Sequence, residues 1–266
     1  MSEFEYKDNY NVQNLVEIMR ILRSPGGCPW DAEQTHESIK KNLIEETYEV
    51  IEAINKNDKE LLCEELGDLL MQVVFHAQME QEAGEFDFDT VCDGVCKKLI
   101  ERHPHVFGQV TVNGVDDVLT NWDAIKRKTK KQKTTTDSML SVPRELPALM
   151  RATKLQKKAA DVGFDWDDVS GALDKLEEEI AELRQAIKNE DRENMTEELG
   201  DILFSAVNVS RFIKTDAEEA LTAASDKFLS RFTQVEKLAG ERGVDMKSAG
   251  IEELDRLWDE AKRNNN

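Results

Sequence analysis

The pentapeptide Glu-Glu-Leu-Gly-Asp occurs twice, at residues 64–68 and 197–201, followed by Leu-Leu in one copy and Ile-Leu in the other. The copies lie 133 residues apart, and that offset also lays Glu45-Glu46-Thr47-Tyr48-Glu49 on Glu178-Glu179-Ile180-Ala181-Glu182. With small shifts, Trp30-Asp31 meets Trp166-Asp167, Lys98 and Arg102 meet Lys227 and Arg231, and 121–128 meets 257–264. Acidic, basic and aromatic landmarks recur in one order, so the chain is a tandem duplication. The expected division is a first domain at 1–125, a basic and polar linker at 126–147, and a second domain at 148–266. Six bases in the first eight residues of that linker fit a solvated, mobile strip better than an anion site. The last three asparagines read as a frayed tail.

Each repeat reads as helices. Leu173, Leu176, Ile180, Leu183 and Ile187 recur at helical spacing, as do Leu199, Ile202, Leu203 and Ala206, while β-branched alternation is sparse. Residues 189–191 and 55–58 are expected turns. The expected fold is all-α, with each unit a small antiparallel helical bundle.

Charge narrows the function. Acidic residues number 55 against 35 basic ones, a net charge of −20. Such a field repels nucleic acid and anionic membrane, although it tolerates phosphates where metal ions intervene. The start lacks a basic segment followed by an apolar run, and no apolar stretch is long enough for a bilayer. The four cysteines form no Cys-x-x-Cys pair and read as reduced, buried thiols, which points to the cytoplasm.

At about 100° per residue, Glu179 and Glu182 lie side by side on the flank of the apolar stripe, whereas Glu178 turns away. Glu198 and Asp201 are likewise adjacent on the next helix, and Glu46, Glu49, Glu65 and Asp68 repeat the pattern in the first unit. Sixteen residues separate Glu182 from Glu198 and Glu49 from Glu65. In an antiparallel hairpin those positions come level, so the acidic pairs face one another. Like charges at that range repel unless water screens them or cations neutralise them. The glycine between Glu198 and Asp201 costs a helix about 1 kcal/mol relative to alanine. Its expected return is close approach by a neighbouring helix or a ligand.

An all-oxygen ligand set suits Mg²⁺, or Mn²⁺, over zinc. A ferritin-like di-iron centre needs Glu-x-x-His on two helices. All four histidines lie in the first unit, so that alternative fails in the second. No P-loop is present, and phosphate charge must be met by metal and side-chain cations. Lys227 and Arg231, four apart, read either as such a clamp or as a solvated helix face. Trp258 reads either as a base-stacking ring or as core.

Gly-Cys-Pro-Trp-Asp (27–31), Glu-Glu-Thr-Tyr-Glu (45–49), the doubled pentapeptide, Arg-His-Pro-His-Val-Phe (102–107) and Val-Gly-Phe-Asp-Trp (162–166) together resemble the MazG nucleoside triphosphate pyrophosphohydrolases. The similarity covers nearly the whole chain outside the linker. The resemblance implies an all-α homodimer and Mg²⁺-dependent hydrolysis of NTPs or dNTPs to the monophosphate and pyrophosphate, with broad base tolerance. It implies Mg²⁺ ligation by Glu179, Glu182, Glu198 and Asp201, and in the first unit by the matching Glu46, Glu49, Glu65 and Asp68. Lys175, Glu178, Glu179, Lys227, Arg231 and Trp258 match substrate-contacting positions, while Asn194 stands where the family carries a lysine. Glu178 is the family-position candidate for proton acceptor, a role its orientation leaves open. The competing readings are a sister pyrophosphatase of narrower substrate range and a non-catalytic acidic adaptor. Unequal units are expected too, because Asn42 replaces Lys175 in the first and Pro104 ends the helix behind Arg102.

Overall fold

The computed structural model describes residues 4–129 and 132–264, and every regular element among them is a helix. Two compact units divide between Lys126 and Arg127. The first holds α1 (Val12–Arg23), α2 (Pro29–Glu33), α3 (His36–Lys56), α4 (Lys59–Ala83), α5 (Phe88–Arg102), α6 (Pro104–Phe107) and most of α7 (Val115–Thr129). The second holds α8 (Thr135–Leu140), α9 (Ala148–Ala160), α10 (Val169–Lys188), α11 (Arg192–Phe212), α12 (Ala217–Arg242) and α13 (Ile251–Asn264). No described helix is long and apolar enough to cross a membrane.

The centre of each unit is a helical hairpin, α3 with α4 and α10 with α11. Local chemistry sets its corners. Asn57 ends α3 in the left-handed region at φ 53°, and the Asp58 carboxylate then accepts the amides of Glu60 and Leu61 to start α4. Asp168 and Asp191 cap α10 and α11 in the same way. The expected turns therefore hold. Duplication also shows in what is buried: Ile39 and Ala172, Ala53 and Ala186, and Val74 and Val207 are paired by the same offset, and all six are buried.

Around the hairpins, α1 packs on α4 and α9 on α11. The first unit's core gathers Met19, Ile39, Val74, Phe75 and Met79. A second core joins α12 to α13 through Val235, Ala239, Leu257 and Ala261. Pro104 does break the first unit's helix, with α5 stopping at Arg102 and α6 a single short turn. Its counterpart α12 runs on to Arg242.

Four expectations need correcting. The apolar stripe of α10 divides: Leu176 and Leu183 are half-buried, whereas Leu173, Ile180 and Ile187 are exposed. The buried row is instead Ala172, Glu179 and Ala186, because small side chains let the helix face its neighbours most closely along that line. The cysteines are free and none is buried: Cys63 and Cys96 are exposed, and Cys28 and Cys92 are half-buried. The linker is partly built: Thr134 caps α8, Ser138 and Val142 are buried, and Lys158 bonds the Ser138 hydroxyl. Lys130 and Lys131 of the basic strip, and Asn265 and Asn266 of the tail, lie outside the described residues, while Asn264 still belongs to α13. Finally, a Cβ added at Gly67 or Gly200 would meet nothing within 4 Å beyond its own helix, so of the helix or ligand expected to approach there, no described helix does so.

Candidate active site

The α10–α11 hairpin brings carboxylate oxygens of Glu179, Glu182 and Glu198 within 4.8 Å of one another. Glu46, Glu49 and Glu65 form the matching group on α3 and α4. Asp201 and Asp68 stand beside these triads, near enough that their charges raise the proton affinity of Glu198 and Glu46 respectively. Glu179 is only 4% exposed, an unusual place for a carboxylate.

What makes that burial tolerable is Lys175, one turn earlier. Its Nζ donates to Glu179 Oε1 at 2.7 Å and to Glu178 Oε1 at 3.0 Å. The lysine holds the Glu179 carboxyl below the usual range, and the two glutamates push the Lys175 ammonium above its own. Neighbouring acids move the other way. Glu182 is raised by its hydrogen bond to Glu179, and Glu198 by burial and then by the charges of Glu182 and Glu179. In the first unit Asn42 offers no cation, and Glu46 is raised by burial, Asp68 and Glu49. Crowded oxygen donors, one of them buried, fit a hard divalent cation.

The sequence did not single out Gln72. It is buried, lies near enough to Glu46 to ease that carboxyl's ionisation, and keeps a buried Oε1 with no partner. Its spacing of four from Asp68 was the available signal, a polar residue on the acidic face one turn on.

The expected cations lie on another layer. α12 packs chiefly on α9 and α13, and among the described residues no ion pair joins Lys227 or Arg231 to the α10–α11 acids. Arg231 stands over the Trp258 ring, 6.0 Å from its centroid, and Phe228 packs on the same ring at 5.3 Å. Arg102 over Trp122 at 5.5 Å repeats the pair in the first unit. Glu178 is exposed and held by Lys175, as its orientation on the helix anticipated.

The profile of the MazG nucleotide pyrophosphohydrolase domain matches residues 34–107 and 168–236, one segment in each unit and each containing its acidic hairpin. The chain belongs to the MazG family. It is thus an enzyme of the pyrophosphohydrolase class. Among MazG relatives, a nucleoside triphosphate pyrophosphohydrolase of Escherichia coli (strain K12) is 45% identical over 257 residues, which are 95% of this chain and 97% of that protein. A nucleoside triphosphate pyrophosphohydrolase/pyrophosphatase MazG of Thermotoga maritima is 45% identical over 250 residues, 94% of this chain and 95% of its own length. The YabN protein of Bacillus subtilis is 50% identical over 248 residues, which are 92% of this chain and 50% of the longer relative.

Proposed function

We propose that this MazG-family chain hydrolyses nucleoside and deoxynucleoside triphosphates to the monophosphate and pyrophosphate, with Mg²⁺ held in the second unit by Glu179, Glu182, Glu198 and Asp201. The observation that carries the proposal is the triad of carboxylates within 4.8 Å around the buried Glu179, on the hairpin where the family profile matches. The E. coli and T. maritima relatives are named for nucleoside triphosphates, which supports that substrate class. A divalent cation bound there supplies neutralising charge for a polyphosphate and acidity for water.

The chain's own groups do the rest. Lys175 keeps Glu179 ionised and ready as a ligand. An unprotonated carboxylate takes the proton of the water that attacks phosphorus at the α–β bridge. Lys227 and Arg231 stabilise charge on the departing pyrophosphate. They reach it in a homodimer, the assembly supported by the exposed apolar row Leu173, Ile180, Ile187, Leu199 and Leu203 on the acidic hairpin. The empty space beside Gly200 supports the same reading, since it leaves room for a second copy or for substrate. The first-unit acids Glu46, Glu49, Glu65 and Asp68 hold Mg²⁺ with little turnover, and the enzyme works in the cytoplasm.

Incubation with the eight common NTPs and dNTPs in Mg²⁺ and in EDTA tests this reading. Monophosphate and pyrophosphate are expected in Mg²⁺ alone. Release of diphosphate and orthophosphate would overturn the assigned bond.

A further inference from the structure

At the open end of the first hairpin, His36 on α3 faces His76 on α4, with their Nδ1 atoms 2.7 Å apart. The ring centroids are 5.0 Å apart and the ring planes differ by 4°. Those values require both nitrogens to lie on the line between the rings, so the imidazoles meet edge to edge in one plane. That is a nearly linear N–H···N hydrogen bond, not a face-to-face stack. On its far side His36 donates from Nε2 to Glu80 Oε1 at 2.7 Å.

These three groups fix where each proton stands. A carboxylate only accepts, so His36 Nε2 carries hydrogen and, in the neutral ring, its Nδ1 is a bare acceptor. His76 Nδ1 must then donate, which leaves His76 Nε2 as a lone pair. That nitrogen is buried and has no partner among the described residues. A lone pair is tolerable there, whereas an N–H would be a buried donor without an acceptor. The Nδ1···Nδ1 contact holds one proton and His36 Nε2 a second. His36 is exposed, so further protons reach the pair from water. A third has only His76 Nε2 left, and a fourth would put hydrogen on both Nδ1 atoms and break the bond between them. Burial and then the His36 charge accordingly hold His76 below the usual histidine range.

Charges on the surrounding elements are engaged elsewhere or face water. Arg23 of α1 is bound to Glu82, Lys40 to Glu37 on α3, and Lys97 to Asp93 on α5, while Asp87 caps α5. Glu17 and Arg20 of α1, Glu33 of α2, Lys41 of α3 and Asp89 of α5 are exposed. What an added proton would disturb is the core, since Ile39, one turn beyond His36, and Phe75 and Met79 around His76 are buried together. The second unit closes the same place without titratable groups. The offset of 133 residues puts Val169, Val209 and Ile213 where the first unit has His36, His76 and Glu80.

We propose that His36, His76 and Glu80 form an acid-released latch. It locks the open end of the first hairpin while both imidazoles are neutral, loosens it when the pair gains a proton, and has no counterpart in the second unit. The latch stands on the first unit's own geometry and is independent of the hydrolase reading.

Hydrogen–deuterium exchange of the full chain at about pH 7 and about pH 5, corrected for the intrinsic pH dependence of exchange, is the test. At the lower pH, protection at the end of α4 should fall by about 5-fold or more, the cost of one buried N–H without an acceptor. The end of α11 should keep its protection. His36→Val combined with His76→Val, the pair that the second unit carries, should remove the difference between the two conditions. Nitrogen-15 NMR of the wild-type imidazoles at neutral pH gives a reading that needs no variant. His36 should carry hydrogen at Nε2 and His76 at Nδ1, with a scalar coupling between the two Nδ1 atoms. The opposite tautomers, unchanged protection of α4 in acid, or equal loss in both hairpins would overturn the latch. So would acid loosening of α4 that persists in the doubly substituted protein.

Discussion

Glu182→Gln should move thermal stability in opposite directions with and without Mg²⁺. In the free protein the Glu182 carboxylate lies within 4.8 Å of Glu179 and Glu198, and no lysine donates to it. Neutral glutamine keeps the shape and removes a repelling charge, so melting in EDTA should occur at a higher temperature than in the wild type. In Mg²⁺ the same charge becomes a ligand. A cation present at 100 times its dissociation constant stabilises by about 2.7 kcal/mol, which in a unit of this size raises Tm by roughly 8 °C. Glu182→Gln should lose more than half of that rise, so the two melting curves cross as Mg²⁺ is added.

Calorimetry over a wide Mg²⁺ titration reads both effects. KCl at matched ionic strength separates a bound ion from general screening, which acts on any exposed acidic face. Equal melting in Mg²⁺ and in matched KCl would refute the metal-site argument. A wild-type Mg²⁺ response in Glu182→Gln would refute the assignment of this ligand.

Glu179→Ala should lower turnover by at least about 100-fold, while Glu46→Ala should leave most of it; steady-state rates with ATP decide, and the reverse order would move the working site to the first unit. Gly171→Ala should displace Trp166 and lower the second unit's Tm, because the new Cβ would come within 2.8 Å of the indole. Arg211→Met strands the part-buried Asp165 and should cost about 1–3 kcal/mol, read as a lower Tm of the second unit. His76 is held below the usual histidine range by burial and by the His36 charge. The folded state therefore binds fewer protons there than the unfolded chain, and stability should fall as pH drops from the ordinary imidazole pKa toward the folded one. His76→Phe should flatten Tm against pH over that window.

How far the sequence is legible differs between levels. Hairpin corners were readable because Asn57-Asp58 and Asp191 carry local capping chemistry that needs no tertiary information. The acidic triads were readable because a fixed rotation per residue and a known turn suffice to align two helices. The rotation of α10 about its own axis was not. Periodicity identifies Leu173, Ile180 and Ile187 as one row, but a row can face the chain's own core or a second copy. Alanines at 172 and 186 decide the matter, since close packing favours the smallest side chains.

The two units share their acids and differ in the groups around them. Their acids match position for position, and so do the buried residues that hold the hairpins together. What differs lies around the acids. Asn42 leaves Glu46 without the lysine that holds Glu179 ionised, and Glu46 is raised where Glu179 is lowered. Phe75, buried in the first unit's core, stands where the second unit has Asn208. Pro104 stops α5 behind Arg102, where α12 continues for three more turns beyond Arg231. The three differences fall on three different helices. On the function proposed above, the first unit holds a cation with little turnover, and hydrolysis rests on the copy that carries Lys175 and an unbroken α12.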